Sequence, residues 1–441
     1  MLQESKPVCV VRAPCATRSG YGDMSRDIIR HIIEYGKFDV KVHSVNWGDT
    51  PMNALDETDP KDKMILDRIL KENLTRQPEL FISITVPNEF QPIGKYNIGI
   101  TAGIETTVAA APWIEGCNKM DVVFTISEHS KNVLQNSKYG YQLPNGGQGT
   151  LEVNKVVEVL HNCIDTAIFG RKAPVDAGLT NVLDNLSESF AFLFVGHWLR
   201  GDFGEDRKNV ALLVKLFMET FKQINNKPKP ALILKTSSAG FSILDREELL
   251  TKIQQIKNSV TLEGSQTLPN VYILHGELTE TEMNTLYNHP KIKAHISLTK
   301  GEGFGRPLLE ASVSGKPVIA SGWSGHLDFL STEGAVLIGG ELKNVHDSSV
   351  WENVIIKESS WFSPDPQQAV NAMAAVFMDY AQFKNNAYYL AERNRKNFSY
   401  ATIQKKTWEL LDKYVPEFPK QVPLKLPSLK KIELPTLKKA E

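Results

Sequence analysis

The stretch GEGFGRPLLEASVSGKPVIASGWSG, residues 301–325, carries the strongest structural signal in the chain. The apolar run before it, at 295–298, predicts a buried strand that ends in a loop with three closely spaced glycines. Pro307 is typical of the first turn of a helix, and Gly315 is typical of the residue after a helix end. The stretch therefore predicts a strand, a glycine-rich turn and a helix whose N-terminus lies at the carboxyl edge of a sheet.

That edge is where open α/β sheets bind their ligands. Glycines let backbone N–H groups approach a ligand closely, and the helix dipole favours negative charge or hydroxyl oxygens there. Two carboxylates, Glu302 in the loop and Glu310 in the helix, have the spacing E-x7-E. A ligand with two polyol parts would be able to reach both.

Short apolar runs alternate with amphipathic stretches along most of the chain, which predicts parallel strands covered by helices on both faces. The expected strands are 7–12, 38–45, 80–85, 96–101, 122–126, 156–160, 190–195, 231–234, 271–274, 295–298 and 318–320. The expected helices are 23–35, 127–134, 210–221, 247–256, 279–287, 307–314 and 400–414. The fold class is therefore α/β, in two consecutive halves.

The polar stretch 171–189 shows no clear periodicity, and we place the domain boundary inside it. The expected units are an N-terminal domain (1–185), a C-terminal domain (186–395), a late helical segment (396–418) that packs back on the N-terminal domain, and a proline- and lysine-rich tail (419–441).

The composition limits the classes of function. With 441 residues, 41% of them hydrophobic, the chain can build two or three cores and is unlike a disordered protein. Fifty basic against fifty-one acidic side chains give a formal charge of -1, which offers no support for a strongly basic nucleic-acid binder. No apolar stretch approaches the ~18 residues of a membrane-spanning helix. The polar start is unlike a secretory signal, and we expect a cytoplasmic protein.

The cysteines and acidic residues indicate no metal site. The four cysteines are scattered without C-x-x-C spacing, so neither a disulfide framework nor a zinc site is expected. The chain also has no D-x-D string and no cluster of histidine and aspartate with ligand spacing.

The string EGFGRPLLEASVSGKPVIAS, residues 302–321, closely resembles the E-x7-E signature of retaining GT-B glycosyltransferases of the family-4 type. The resemblance is densest from 190 to 330 and extends over 7–415. It implies a GT-B fold, in which two Rossmann-like domains face a central cleft. It also implies transfer of a sugar from a nucleotide-diphosphate sugar, a UDP-sugar first among them, with retention of configuration and without a metal or other cofactor.

The resemblance implies a set of donor-side residues in the C-terminal domain. Glu302 would orient the hydroxyls of the donor sugar, while Lys208 and Arg207, in the string RKNVALLVKLF, would face the diphosphate; these three form the expected catalytic set. His197 stands where the family often has an arginine, so Arg200 stays open as the second cation. The remaining expected donor-binding residues are Gly303, Phe304, Gly305, Glu310 (through ribose hydroxyls), Gly196, Glu277 and Leu278.

The acceptor side is expected in the N-terminal domain. The segment after the first strand resembles the glycine-rich loop of the family, and 103–131 resembles its E-T…W segment. For Glu105, a purely structural, hydrogen-bonded role is an equal alternative. The expected acceptor-side residues are Gly20, Tyr21, Gly22, Glu105 and Thr106.

The acceptor itself stays open, as does the oligomeric state. A glycan or another hydroxyl compound is the first expectation. The segment 86–107 looks like glycosyltransferases of tailed bacteriophages, some of which modify hydroxymethylated DNA bases. Such an enzyme would act in the host cytoplasm, flip its base into the cleft and contact phosphates with basic groups. The further alternatives are a nucleotide-sugar epimerase and a non-catalytic protein that binds nucleotide sugars.

Overall fold

The computed structural model describes residues 6–419 except 73, 145, 225–227 and 239–241. Its strands are β1 (Val8–Ala13), β2 (Asp39–Ser44), β3 (Leu80–Ile84), β4 (Tyr96–Thr101), β5 (Val122–Thr125), β6 (Tyr139–Gln142), β7 (Gln148–Leu151), β8 (Val156–Val159), β9 (Ala191–Val195), β10 (Ala231–Lys235), β11 (Val271–Leu274), β12 (Ile292–Ser297), β13 (Val318–Ser321), β14 (Val336–Ile338), β15 (Gly340–Asn344) and β16 (Ser360–Pro364). Its helices are α1 (Gly20–Tyr35), α2 (Pro60–Leu66), α3 (Ala111–Asn118), α4 (Glu128–Asn136), α5 (Ala177–Asp184), α6 (Val210–Phe221), α7 (Ile243–Ser259), α8 (Glu280–Asn288), α9 (Arg306–Val313), α10 (Pro366–Met378), α11 (Tyr380–Asn397) and α12 (Tyr400–Tyr414).

Two six-stranded sheets dominate the molecule. The first has the order β2-β1-β3-β4-β5-β8 and the second the order β11-β10-β9-β12-β13-β14. All pairings within both sheets are parallel. The second order reverses between β9 and β12, and open α/β sheets bind their ligands above the carboxyl ends of the strands at such a point. The expected pair of Rossmann-like α/β domains is confirmed.

The central strands form where apolar runs are covered on both faces. All five residues of β3, Leu-Phe-Ile-Ser-Ile, are buried, as expected for a central parallel strand between two helical layers. The four core residues of β9 that precede Val195 are buried in the same way. Burial on both faces explains why short, nearly continuous apolar runs were sufficient to predict these strands.

The first helix begins earlier than the sequence predicted. We expected a loop through Gly22 and a helix from 23, but α1 starts at Gly20. The Ser19 hydroxyl accepts a hydrogen bond from the Gly22 N–H at 3.0 Å and caps the helix. The expected Gly20-Tyr21-Gly22 loop is therefore the first turn of a helix, and the loop proper ends at Ser19.

The stretch 171–189 contains a helix that its weak pattern hid. α5 is capped by Asp176, whose carboxylate accepts from the Leu179 N–H at 2.7 Å. Only Leu179 and Leu183 on this helix are buried, so the apolar signal is confined to two positions.

The last described helix, α12, lies against α1 of the N-terminal domain. The Trp408 indole N–H donates to the His31 carbonyl at 2.7 Å, and the Thr407 hydroxyl lies 3.1 Å from Nδ1 of His31. Lys413 forms an ion pair with Glu158 at 2.7 Å. Of the predicted tail, residues 420–441 lie outside the described residues.

The four cysteines are buried and unpaired. Within the described ranges, no helix is long and apolar enough to cross a membrane.

Candidate active site

The loop that follows β12 lies against the N-terminal domain. A Cβ atom at Gly301 would lie 1.9 Å from the Glu105 carbonyl oxygen, and one at Gly303 would lie 2.3 Å from that of Ala102. Both positions therefore require glycine because the backbones of the two domains touch there. Gly301 and Gly303 allow the two backbones to touch, and this contact places Glu302 at the junction of the domains.

Glu302 is 6% exposed and faces two cations from the segment before α6. Its carboxylate forms a close ion pair with the Lys208 ammonium, and the Arg207 guanidinium lies 3.4 Å from its other oxygen. Arg207 also donates to the Gly301 carbonyl at 2.9 Å, which ties the two segments together. The three residues predicted as the catalytic set thus form one cluster at the carboxyl edge of the second sheet.

The charge state of Glu302 is set by this cluster. Burial alone raises the pKa of Glu302, but the charges of Lys208 and Arg207 outweigh it and lower the pKa to about 2. Glu302 is therefore ionised throughout the physiological pH range, and its oxygens act only as hydrogen-bond acceptors.

Glu310 has a different environment in the second turn of α9. Its carboxylate binds Nε of Arg306 at 3.1 Å and accepts from the Tyr287 hydroxyl at 3.1 Å. Burial raises the pKa of Glu310 to about 7; Arg306 opposes the rise, whereas the nearby carboxylates of Asp23 and Glu280 add to it. The two carboxylates of the E-x7-E motif therefore have opposite pKa shifts.

Of the three predicted residues after β9, Gly196 lies beside Lys208, whereas the side chains of His197 and Arg200 contact Ser237 and Trp351. A Cβ atom at Gly196 would lie 3.5 Å from the Lys208 side chain, so this glycine lines the cation cluster. Nδ1 of His197 lies 3.0 Å from the Ser237 hydroxyl. Arg200 lies over the ring of Trp351, 5.4 Å from its centroid, whereas Arg207 is the arginine that reaches Glu302.

Three other predicted donor-side residues have mainly packing or bridging contacts. The ring of Phe304 is buried, with its centroid 5.0 Å from that of Phe329, so its side chain packs the motif and only its backbone remains for a donor. Leu278 packs against the main core cluster. Glu277 forms an ion pair with Arg18 of the N-terminal domain at 3.1 Å. Gly305 adopts φ +90° immediately before α9.

Two acceptor-side predictions lie next to the motif loop. The Tyr21 hydroxyl lies 3.0 Å from the Thr101 hydroxyl and accepts from the Ala102 N–H at 3.0 Å. The Glu105 carboxylate is 3.8 Å from the Arg207 guanidinium. This ion pair spans the domain boundary and brings Glu105 to the cluster of Glu302, Lys208 and Arg207.

The other acceptor-side predictions are structural in their contacts. Thr106 is fully buried, and its hydroxyl donates to the Val108 carbonyl at 3.2 Å. A Cβ atom at Gly22 would lie 2.1 Å from the Thr17 carbonyl oxygen, so this glycine permits the tight capping turn. Gly20 has open space where its Cβ would be.

Two residues that the sequence did not predict also lie near the candidate site, and the fold decides their place. Arg306 lies 3.3 Å from Asp27 of α1 and so connects Glu310 to the N-terminal domain. Trp47, just after β2, has its ring centroid 4.1 Å from that of Tyr21. The sequence did offer one signal for Trp47, which is an aromatic residue shortly after a predicted strand. Within the part of the chain that the structure describes, no group of three or more His, Cys, Asp or Glu residues could hold a metal ion.

Comparison with known proteins identifies a related segment. Residues 205–338, which contain the cation cluster and the whole E-x7-E motif, match the family described as "Glycosyl transferases group 1". No curated protein sequence matches the chain.

Solved structures resemble the chain over nearly its full length. Sucrose-phosphate synthase from Thermosynechococcus elongatus has a TM-score of 0.60 at 14% identity, covering 92% of this chain and 98% of that protein. Anabaena HepE in complex with UDP and glucose has 0.59 at 12%, covering 92% and 99%. A glycosyltransferase from Rickettsia africae has 0.59 at 11%, covering 93% and 99%. The expected GT-B fold is confirmed, and the matched family supports a glycosyltransferase.

Proposed function

We propose that this protein transfers a sugar from a nucleotide-diphosphate sugar to an acceptor hydroxyl with retention of configuration. The observation that carries the proposal is the cluster of Glu302, Lys208 and Arg207 at the carboxyl edge of the second sheet. It lies inside the segment that matches group 1 glycosyltransferases. A UDP-sugar is the proposed donor, supported by the structure of Anabaena HepE with UDP-glucose.

The reaction places its main electrostatic demand on the leaving group. The bond between the anomeric carbon and the diphosphate oxygen breaks, and a new bond forms from that carbon to the acceptor oxygen. Negative charge grows on the diphosphate as its bond breaks. Lys208 and Arg207 are positioned to stabilise it, and a preorganised donor of this kind contributes about 3–4 kcal/mol to the transition state.

Glu302 acts on the sugar in this proposal. Because its pKa is about 2, it has no proton to donate at neutral pH and accepts hydrogen bonds from the sugar hydroxyls instead. Its negative charge also favours the positive, oxocarbenium-like sugar. Glu310, at the second position of the motif, takes the ribose hydroxyls.

Retention is proposed to follow a front-face route, in which the departing phosphate takes the proton of the acceptor hydroxyl. The alternative is a double displacement, in which one carboxylate attacks the sugar and the other transfers the proton. Lys208 and Arg207 each form an ion pair with one carboxylate oxygen of Glu302, and a nucleophilic attack would have to use one of these oxygens. These ion pairs favour a role in orientation and charge stabilisation over one as a nucleophile.

A donor screen tests the proposed function. Melting temperatures are measured with UDP-, GDP- and ADP-sugars, and the sugar-nucleotide products are then analysed with and without acceptors. A glycosyltransferase forms a glycosylated product only when an acceptor is added and otherwise at most hydrolyses the donor, an epimerase releases an altered sugar nucleotide, and a binding protein gives no product. If no nucleotide sugar raises the melting temperature, the proposal is wrong.

The acceptor is proposed to be the hydroxyl of a glycan or a similar compound. Modified DNA is the second candidate because the segment 86–107 resembles phage enzymes and its carboxyl end contacts the motif loop through Glu105 and Gly301. A phage enzyme would act in the host cytoplasm. Duplex DNA with and without hydroxymethylcytosine, tested across a salt titration, separates the candidates. Transfer only to the modified duplex supports DNA, and transfer to neither duplex removes it.

A further inference from the structure

The turn after β13 holds the backbone of Glu302 from both sides. The Glu302 N–H donates to the Ser324 hydroxyl at 2.9 Å, and the Gly325 N–H donates to the Glu302 carbonyl at 2.9 Å. A Cβ atom at Gly325 would lie 2.0 Å from the Gly303 carbonyl oxygen. The turn and the motif loop are thus in direct backbone contact, so a movement of the turn moves Glu302.

Ser324 is held in a backbone conformation that costs free energy. Its φ of +84° lies in the region that favours glycine, and the residue is 5% exposed. A non-glycine residue in such a conformation is strained, and the surrounding contacts must offset that strain. The hydroxyl that binds Glu302 is the group that glycine would lack.

The far end of the same turn reaches the N-terminal domain. The short 3-10 helix Gly325–Asp328 ends in a carboxylate that is 13% exposed. One oxygen of Asp328 accepts from the Glu128 N–H, at the start of α4, at 2.9 Å and lies 2.9 Å from Nε2 of His161. A carboxylate at a helix N-terminus is also favoured by the helix dipole.

A neighbouring aromatic contact strengthens this connection. The Trp323 ring meets that of His129 on α4 edge-on, with centroids 4.7 Å apart. Trp323 therefore joins Asp328 in fixing the turn to α4.

We propose that Asp328 is a positioning residue that couples the seating of the two domains to the placement of Glu302. When Asp328 holds α4 and His161, the turn keeps Glu302 at the junction where a donor and an acceptor meet. When that hold is lost, the domains separate more readily and Glu302 shifts with the turn. The inference rests on the proposed transferase function for its catalytic consequence, but not for its conformational one.

The test compares Asp328→Ala with Asp347→Ala, a control in the same domain. Asp347 is 72% exposed and forms an ion pair with Lys357 at 2.9 Å. The readouts are turnover of UDP-glucose, with water as the acceptor if no other is known, the Kd for UDP, and small-angle X-ray scattering. For Asp328→Ala we expect turnover to fall about tenfold or more and the Kd for UDP to stay within about twofold. We also expect a larger radius of gyration than in the control.

A third variant, Asp328→Asn, separates coupling from simple loss of stability. Asparagine keeps an oxygen that can accept from the Glu128 N–H, so we expect turnover and radius of gyration between those of the wild type and Asp328→Ala. Equal scattering and equal turnover in Asp328→Ala and Asp347→Ala would overturn the inference. If the wild type binds and turns over no nucleotide sugar, the proposed function fails, while the scattering comparison still decides whether Asp328 holds the domains together.

Discussion

The two carboxylates of the E-x7-E motif belong to one continuous strand–turn–helix element, yet the protein gives them opposite charge behaviour. Glu302, in the turn, faces Lys208 and Arg207, and its pKa falls to about 2. Glu310, in the helix, shares one arginine with other carboxylates, and its pKa rises to about 7. Their side chains are similarly shielded from solvent, at 7% and 11% exposed, so burial alone does not decide the sign of the shift.

The difference arises from the number of charges around each carboxylate. Two cations face Glu302, and together they outweigh the cost of burial. The single guanidinium of Arg306 is divided between Glu310 at 3.1 Å, Asp27 at 3.3 Å and Glu280 at 3.7 Å. The charge state of each glutamate is therefore not fixed by its residue type or its position in the motif. It depends on the charged side chains that other elements place around it.

The largest effect is expected when the charge of Glu302 is removed. We expect Glu302→Gln to lower transfer about 100- to 1,000-fold, because the sugar loses its ionised acceptor. The Kd for the nucleotide should remain close to that of the wild type, since Lys208 and Arg207 are kept. Initial rates and calorimetry measure the two quantities, with Glu310→Gln as the matched variant. Wild-type turnover in Glu302→Gln would contradict the role assigned to this end of the motif.

Removing a cation tests the other partner of the same cluster. We expect Lys208→Ala to weaken UDP binding about tenfold or more, because a charge-assisted contact to the diphosphate is lost, and to leave uridine binding nearly unchanged. Calorimetry with both ligands measures the difference, and Lys215→Ala on α6 serves as the control. Equal losses for UDP and uridine would show that Lys208 does not act on the diphosphate.

Glu310 should leave a signature in the pH dependence of stability. Its pKa is about 7 in the folded protein against 4.5 for the free group, so the folded state retains a proton that the unfolded state releases. This group therefore lowers the free energy of unfolding as pH rises from about 4.5 to 7, by at most about 1.4 kcal/mol per pH unit. In Glu310→Gln that contribution should disappear, as measured by urea unfolding across this range. An unchanged pH profile would place the pKa of Glu310 near its ordinary value.

Glu302 has the opposite sign. Its lowered pKa stabilises the folded protein above the ordinary pKa of 4.5, and that stabilisation is lost as pH falls toward about 2. The two ends of the motif should thus be separable in one unfolding series.

The smallest effect is expected from the arginine shared at the helical end. Arg306 lowers the pKa of Glu310, so Arg306→Gln should raise it further and extend the decline in stability above pH 7. The measurement is the same unfolding series, carried to higher pH. A decline that still ends near pH 7 would indicate that Arg306 contributes little to the charge of Glu310.

Much of the fold was predictable because its strands are buried on both faces. Central strands such as β3 and β9 read as short apolar runs, and parallel order followed from their alternation with helices. Helix starts were less predictable: at α1 the cap at Ser19 decides the start, not the apolar pattern that begins later. α5 was not predicted because only two of its residues, both leucines, are buried.

Local sequence patterns were sufficient to predict the strand–turn–helix of 301–325, the two α/β halves and the candidate site residues Glu302, Lys208 and Arg207. These follow from local patterns of apolar residues, glycine and proline, and from a recognisable motif. How the charges meet depends on the tertiary fold, since Lys208 and Glu302 are 94 positions apart in sequence. The fold also decided that Glu105, Asp27 and Asp328 span the domain boundary, because Coulomb energy depends on distance in space and not on separation along the chain.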